Sequence, residues 1–189
     1  MSSAFEAVPR EGFLPERERS RASYDGPIAL GHGATNSQPA TVAAMLRLLR
    51  VRRGDRVLDV GAGSGWTTAL LAHLTGPTGL VVGVELVAAL VRWGGANLAA
   101  SHQPWASIRE AEPGVLGAPE LAPYDRILVS AEPLSLPEEL VGQLGPGGRM
   151  VIPVAGVMLA VTRPEGADAT GREPVRVTRH GRYAFVPLR

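Results

Sequence analysis

The stretch Val57-Leu58-Asp59-Val60-Gly61-Ala62-Gly63-Ser64-Gly65-Trp66 constrains this chain more than any other. A short apolar run leads directly into three alternating glycines, and a helical pattern follows. An apolar run of this length, bounded by glycine, reads as a buried strand of a parallel sheet. Glycine lets the backbone turn sharply and lets a ligand come close to it. The N–H groups opening the next helix then face any anionic part of that ligand. The segment therefore predicts the first strand–turn–helix of an α/β fold with a nucleotide-like ligand at the turn. Read alone, it is also compatible with an ordinary strand-to-helix turn that binds nothing.

From Arg56 onward, short β-branched runs alternate with longer helical patterns, the arrangement of a doubly wound, mostly parallel sheet covered by helices. The strand candidates are 57–60, 80–85, 106–108, 126–130 and 150–154. Two later runs, 157–161 and 175–177, have no long helix between them and read as antiparallel additions, with a final strand at 183–186. Between Gln38 and Arg50, the residues Val42, Met45, Leu46 and Leu49 fall at helical spacing and make one apolar stripe. Further helices are expected from about Ser64 to Leu74, from Leu86 to Ala99, and from Pro137 to Leu144 before Gly145-Pro146-Gly147-Gly148. The stretch Thr162 to Glu173 reads as a turn or mobile loop. At 189 residues the chain is expected to form one domain. Residues 1–50 would supply a substrate-side segment and helix, 51–155 the cofactor-binding core, and 156–189 the C-terminal strands.

Two cofactor classes compete for the glycine loop. The NAD fingerprint G-x-G-x-x-G, counted from Gly61, needs a glycine at position 66, where this chain has Trp66. The G-x-G-x-G spacing after Asp59 instead resembles motif I of S-adenosylmethionine (SAM)-dependent methyltransferases. Glu85 ends the next strand candidate, where a carboxylate can accept hydrogen bonds from both ribose hydroxyls. It is compatible with either cofactor, and with a helix-capping role.

Upstream, Gly31-His32-Gly33-Ala34-Thr35-Asn36-Ser37-Gln38-Pro39 is similar to the G-x-G-[QA]-T-[IL]-S-[QA]-P segment of the protein-L-isoaspartate O-methyltransferases. The likeness continues through Ala4-Phe5-Glu6-Ala7-Val8-Pro9-Arg10-Glu11-Gly12-Phe13-Leu14-Pro15, through Pro123 to Ala131, through Gln143 to Val154, and in Phe185-Val186-Pro187-Leu188. It covers nearly the whole chain. The resemblance implies a Rossmann-like SAM methyltransferase fold that methylates the free carboxylate of L-isoaspartyl residues in damaged proteins. It implies SAM on Ala34, Thr35, Asp59, Gly61, Gly63, Gly65 and Leu86, with Glu85 on the ribose and Glu112 near adenine. Ser37 would orient the substrate carboxylate, with His32 and Asn36 beside it.

Several alternatives stay open at this point. Ser37 precedes a proline and also reads as the cap of the following helix, and His32 between two glycines reads equally as a turn residue or a general base. Asn36 stands where the family usually has an aliphatic residue. Glu112-Pro113-Gly114 stands for its G-D-G, so Glu112 is the displaced acid or that acid is absent. The family's additional helix before Ala4 has no match in this sequence. The same fold acting on a dedicated peptide aspartyl or small carboxylate, and a non-catalytic SAM- or peptide-binding protein, are the alternative functions.

Composition narrows the partners. The net charge is +1, from 19 basic and 18 acidic residues, so no overall field favours nucleic acid or an anionic membrane. The arginines cluster at Arg50, Arg52 and Arg53 and again at Arg176, Arg179 and Arg182, reading as solvated surface or as a site for an acidic ligand. With no cysteine there is no disulfide or Cys-ligated metal site, and no metal is expected. No leader or apolar run of membrane-spanning length is visible. A cytoplasmic monomer is the expectation.

Overall fold

Residues 2–166 and 175–189 are described in the computed structural model. Among them the chain forms α1 (Ser2–Ala7), a hairpin of β1 (Ile28–Gly31) and β2 (Ala34–Asn36), and α2 (Pro39–Leu49). There follow β3 (Arg56–Val60), α3 (Trp66–Thr75), β4 (Leu80–Glu85), α4 (Ala88–Ala99), β5 (Ala106–Glu110) and β6 (Tyr124–Val129). The chain closes with α5 (Glu138–Gly142), β7 (Leu144–Val154), β8 (Val157–Thr162) and β9 (Arg176–Arg182).

Strands β3 to β9 make one sheet in the order β5-β4-β3-β6-β7-β8-β9. The first five are parallel, and β8 and β9 add antiparallel at one edge. The chain runs outward from β3 through β4 to β5, then returns to the other side of β3 as β6. That reversal opens a crevice at the carboxyl ends of β3 and β6, the place where open α/β sheets bind ligands.

Strand periodicity sorts the core into two layers. Val57, Leu128 and Val151 face α2 and α3, packing with Val42, Met45, Leu46 and Leu49 of the predicted α2 stripe. Leu58, Ile127, Val129, Met150 and Ile152 face the opposite way, toward Leu140 of α5. Each such side chain, fully removed from water, stabilises the fold by roughly 1.5–3 kcal/mol before entropy is counted.

Three expectations require correction. The helix expected from Pro137 to Leu144 is the short α5, because Gln143 O already accepts the Tyr124 N–H at 2.9 Å and Leu144 pairs with Tyr124 in the sheet. The Gly-Pro-Gly-Gly segment then forms an irregularity within β7: Tyr124 pairs with Leu144, but Arg126 pairs with Arg149. The separate strands expected at 175–177 and 183–186 are replaced by the single strand β9. Beyond Tyr183 the chain leaves β8 and forms an isolated bridge to Glu132, where Pro187 has no N–H to extend a ladder. Of the loop expected at 162–173, Thr162 ends β8 and 167–173 lie outside the described residues.

Candidate active site

The glycine loop is fixed from below and from the side. The N–H groups of Gly61 and Ala62 both donate to Val84 O, at 2.9 and 3.1 Å, tying the loop to β4. Glu85 takes the Gly63 N–H on Oε2 and the Val87 N–H on Oε1, each at 3.0 Å. One carboxylate thus joins the glycine loop to the approach to α4. Beneath the loop, Asp59 is fully buried and accepts the hydroxyls of Thr67 and Thr68 on Oδ2, at 2.8 and 2.7 Å, while Oδ1 has no partner. Burial pushes its carboxyl up to about 6; the two threonine bonds oppose that shift and the neighbouring Glu85 adds to it.

The opposite wall comes from the N-terminal quarter of the chain. His32 and Gly33 have φ of 55° and 76°, the two positive values of a type I′ turn, and so close the β1–β2 hairpin tightly. The loop after β2 is held by Arg10, which is buried. Its Nε donates to Asn36 Oδ1 at 2.6 Å, Nη1 to Tyr24 O at 2.7 Å, and Nη2 to the carbonyls of Gly26, Asn36 and Ser37 at 2.8–3.1 Å. The guanidinium also lies 5.5 Å from the centre of the Trp66 ring, whose Nε1–H donates to Val8 O. Asn36 Nδ2 in turn donates to Ser64 Oγ at 3.1 Å. A continuous chain of contacts therefore runs from Arg10 through Asn36 to the glycine loop.

Between these walls lies a cavity of about 1080 Å³. Ala34 to Ser37, Gly61 to Ser64 and Glu85 line it, together with Leu86, Glu112, Ser130 and the tail from Val186 to Arg189. Leu86, Val115 and Leu134 are exposed hydrophobic residues that also line it, giving its rim an apolar character. Such a cavity suits a ligand that is part polar and part apolar.

The profile of the protein-L-isoaspartate(D-aspartate) O-methyltransferase family matches residues 1–189. The chain belongs to this family. A protein-L-isoaspartate O-methyltransferase of Methanothrix thermoacetophila is 43% identical over 188 residues, spanning 98% of this chain and 85% of its own. One from Methanopyrus kandleri is 41% identical over 193 residues, spanning 100% and 82% respectively. Among solved structures, a Plasmodium falciparum protein described as a protein-L-isoaspartate O-methyltransferase, in complex with S-adenosyl-L-homocysteine, has a TM-score of 0.84 at 27% identity. That match covers 99% of this chain and 88% of the other.

Most residues singled out from the family resemblance meet in the one cavity: His32, Ala34, Thr35, Asn36, Ser37, Gly61, Gly63, Glu85, Leu86 and Glu112 all line it. Asp59 and Gly65 are not among the lining residues. A Cβ on Gly65 would stand 2.8 Å from Gly94 O, so this glycine allows the close approach of the start of α3 to α4. Asp59 holds the first turn of α3 through its two threonines. Asn36 lines the cavity, yet its amide is bonded to Arg10 and Ser64, so it braces the wall. Ser37 is not the cap of α2. The N–H of Ala40 is taken by Asp25 Oδ1 at 2.9 Å, and the Ser37 hydroxyl makes no hydrogen bond among the described residues. His32 sits exposed at the hairpin tip, its left-handed backbone fitting the turn reading. Sequence reasoning gave no role to Arg10, Asp25, Ser64 or the tail. Arg10 lies in the family's matching segment, but its partners between Tyr24 and Ser37 become visible only in three dimensions.

Proposed function

We propose that this chain transfers a methyl group from SAM to the carboxylate of L-isoaspartyl residues, and that Ser37 holds that carboxylate at the substrate end of the cavity. The carrying observation is the meeting of the 34–37 loop, the glycine loop and Glu85 around one cavity, with the Ser37 hydroxyl uncommitted. The cavity fits the donor: Glu85 has one backbone N–H on each oxygen and so keeps acceptor capacity for two ribose hydroxyls. Gly61 and Gly63 would leave backbone open to the same ligand, and Leu86 and the 112–116 loop would flank the adenine, Glu112 facing its amino group. When bound, SAM supplies an electrophilic methyl on a sulfonium.

The protein's own task is positioning. A free α-carboxyl has an ordinary pKa of about 3.3–3.7, so it is ionised at neutral pH and needs no base to act as nucleophile. Ser37 would donate its hydroxyl to one carboxylate oxygen and leave the other free to attack. Arg10 and Asn36 hold the loop that carries Ser37, and the hairpin and tail exclude water from the reacting groups. His32 has no proton to remove in this reading. Asn36, which as a substrate-facing polar group would favour a dedicated carboxylate, is bonded inward, and the general isoaspartyl substrate is the reading the site supports best. We assign the protein to the cytoplasm as a single-domain monomer without nucleic-acid or membrane partners. No helix among the described residues is long and apolar enough to cross a membrane, and the net charge of +1 offers no overall field for nucleic acid.

The test is transfer of labelled methyl from SAM to two peptides differing only in L-isoaspartate or L-aspartate at one position. Label on the isoaspartyl peptide alone is expected. SAM binding with no label on either peptide would sink the reading.

A further inference from the structure

A second cavity, of about 370 Å³, lies at the other end of the sheet from the methyl-donor crevice. Strand register explains how it gathers charge. Arg126 pairs with Arg149, Arg149 with Thr162, and Thr162 with Arg176, so three arginines and one threonine lie in a single row across β6, β7, β8 and β9. Arg50 and Arg52, just beyond α2, and Arg163, just beyond β8, complete the wall. Both arginine clusters seen in the sequence contribute to it.

Six like charges around one small cavity are costly unless something answers them. Part of the answer is internal. Arg149 Nε donates to Leu48 O and Arg126 Nε to Arg50 O, capping carbonyls at the end of α2. Arg126 also pairs with Asp55 at 3.2 Å, but Asp55 is already engaged by the Arg52 N–H. Among the described residues, no other of the six is ion-paired, although Glu165 also lines the cavity. Burial, with Arg50 and Arg126 nearby, holds the Arg149 guanidinium below its ordinary value. Arg163 is only 8% exposed; it donates to Leu144 O, yet its Nε has no partner. The exposed Arg50, Arg52 and Arg176 make no side-chain hydrogen bond among the described residues.

We infer that this cavity binds a phosphate-bearing polyanion, a di- or triphosphate group, at a site separate from the methyl-transfer crevice. A guanidinium fork matches phosphate as well as carboxylate. Arginines that converge from three strands and two loops need oxygens on several sides at once. A planar carboxylate offers two; a short phosphate chain offers many and carries enough charge to answer the cluster.

The experiment is calorimetric titration of the whole protein with tripolyphosphate, ATP, orthophosphate and sulfate at matched ionic strength. S-adenosylhomocysteine is kept saturating so that the methyl-donor crevice is filled. Tripolyphosphate is expected to saturate at one per chain, and Arg52→Gln with Arg176→Gln to weaken it at least about tenfold at unchanged methyl transfer. Both residues are exposed, so the fold should tolerate the change. Equal affinity for ATP and tripolyphosphate would mean that the phosphates alone are read, and tighter ATP would mean a nucleotide. Unsaturable heats equal to those of sulfate, or a double variant that binds as the parent does, would overturn the proposal.

Discussion

Arg10 and Asn36 show how one side chain can be central without touching a ligand. The Arg10 guanidinium is buried, and its bonds to Asn36 Oδ1 and to backbone carbonyls, helped by the Trp66 ring and the charge of Asp25, offset the loss of water. Asn36→Leu would restore an aliphatic residue of the kind the family usually has there, yet strand Arg10 Nε. It should cost about 1–3 kcal/mol, because a buried charged donor would be left without its acceptor. For a domain of this size that lowers Tm by about 2–4 °C per kcal/mol in thermal unfolding; an unchanged Tm would mean the network is dispensable. Ser37→Ala should do the reverse. Its hydroxyl bonds to nothing internal, so stability should stay within about 0.5 kcal/mol. Methyl transfer to an isoaspartyl peptide should fall roughly ten- to hundredfold, the worth of one hydrogen bond to a charged group. Asp59 gives a pH signature. Its folded pKa, about 6, stands above the ordinary 3.8, so the folded state binds its proton more tightly. Stability from this group is therefore greatest below about pH 4 and declines until about pH 6, by up to roughly 3 kcal/mol. Asp59→Asn should remove that component, seen as a pH-dependent gap between the two unfolding curves. Parallel curves across this window would refute it.

At the scale of elements, α4 contains two adjacent glycines with opposite expectations. A Cβ on Gly94 would meet Gly63 O at 2.6 Å, whereas one on Gly95 would meet nothing within 4 Å. Helix propensity alone favours alanine at both by about 1 kcal/mol. Gly95→Ala should gain about that much, while Gly94→Ala should lose stability and weaken SAM binding, because it pushes the glycine loop away from α4. Chemical unfolding of the two variants side by side checks the contrast. No sequence pattern separates these two glycines; only the packing of α4 on the loop does. The α2 stripe, by contrast, was legible because Val42, Met45, Leu46 and Leu49 carry a period set by the helix itself. The β1–β2 hairpin gives no strand signal in the sequence: it is short and bulged between Ala29 and Gly31, so it shows little alternation. Helical propensity continues past the end of α5, but β6 draws Gln143 and Leu144 into pairing, a tertiary competition that local propensity does not register.

At the scale of the whole molecule, the crevice proposed for the methyl donor is set by sheet topology, but its enclosure comes from the two ends of the chain. The N-terminal segment reaches it through Arg10 and Trp66. The C-terminal tail reaches it through Glu132, whose N–H donates to Val186 O at 2.8 Å and whose carbonyl accepts the Leu188 N–H at 2.9 Å. The N-terminal segment is also part of the core through Ala4, Val8 and Phe13, whereas residues 186–189 contribute neither a strand of the seven-stranded sheet nor a fully buried side chain, so the tail's share of the enclosure is separable from folding. A chain ending at Phe185 should therefore remain folded, with Tm lowered by only a few degrees, since it loses two exterior hydrogen bonds and little core. The cavity would be left open on the side lined by Val186 to Arg189. Because water exclusion and positioning support the reaction together, kcat for an isoaspartyl peptide should fall by more than tenfold. The SAM dissociation constant should change much less, since Glu85 and the glycine loop remain intact. Equal losses in donor affinity and in kcat would show instead that the tail is part of the donor site, and that the division between a topological floor and a terminal lid is drawn in the wrong place.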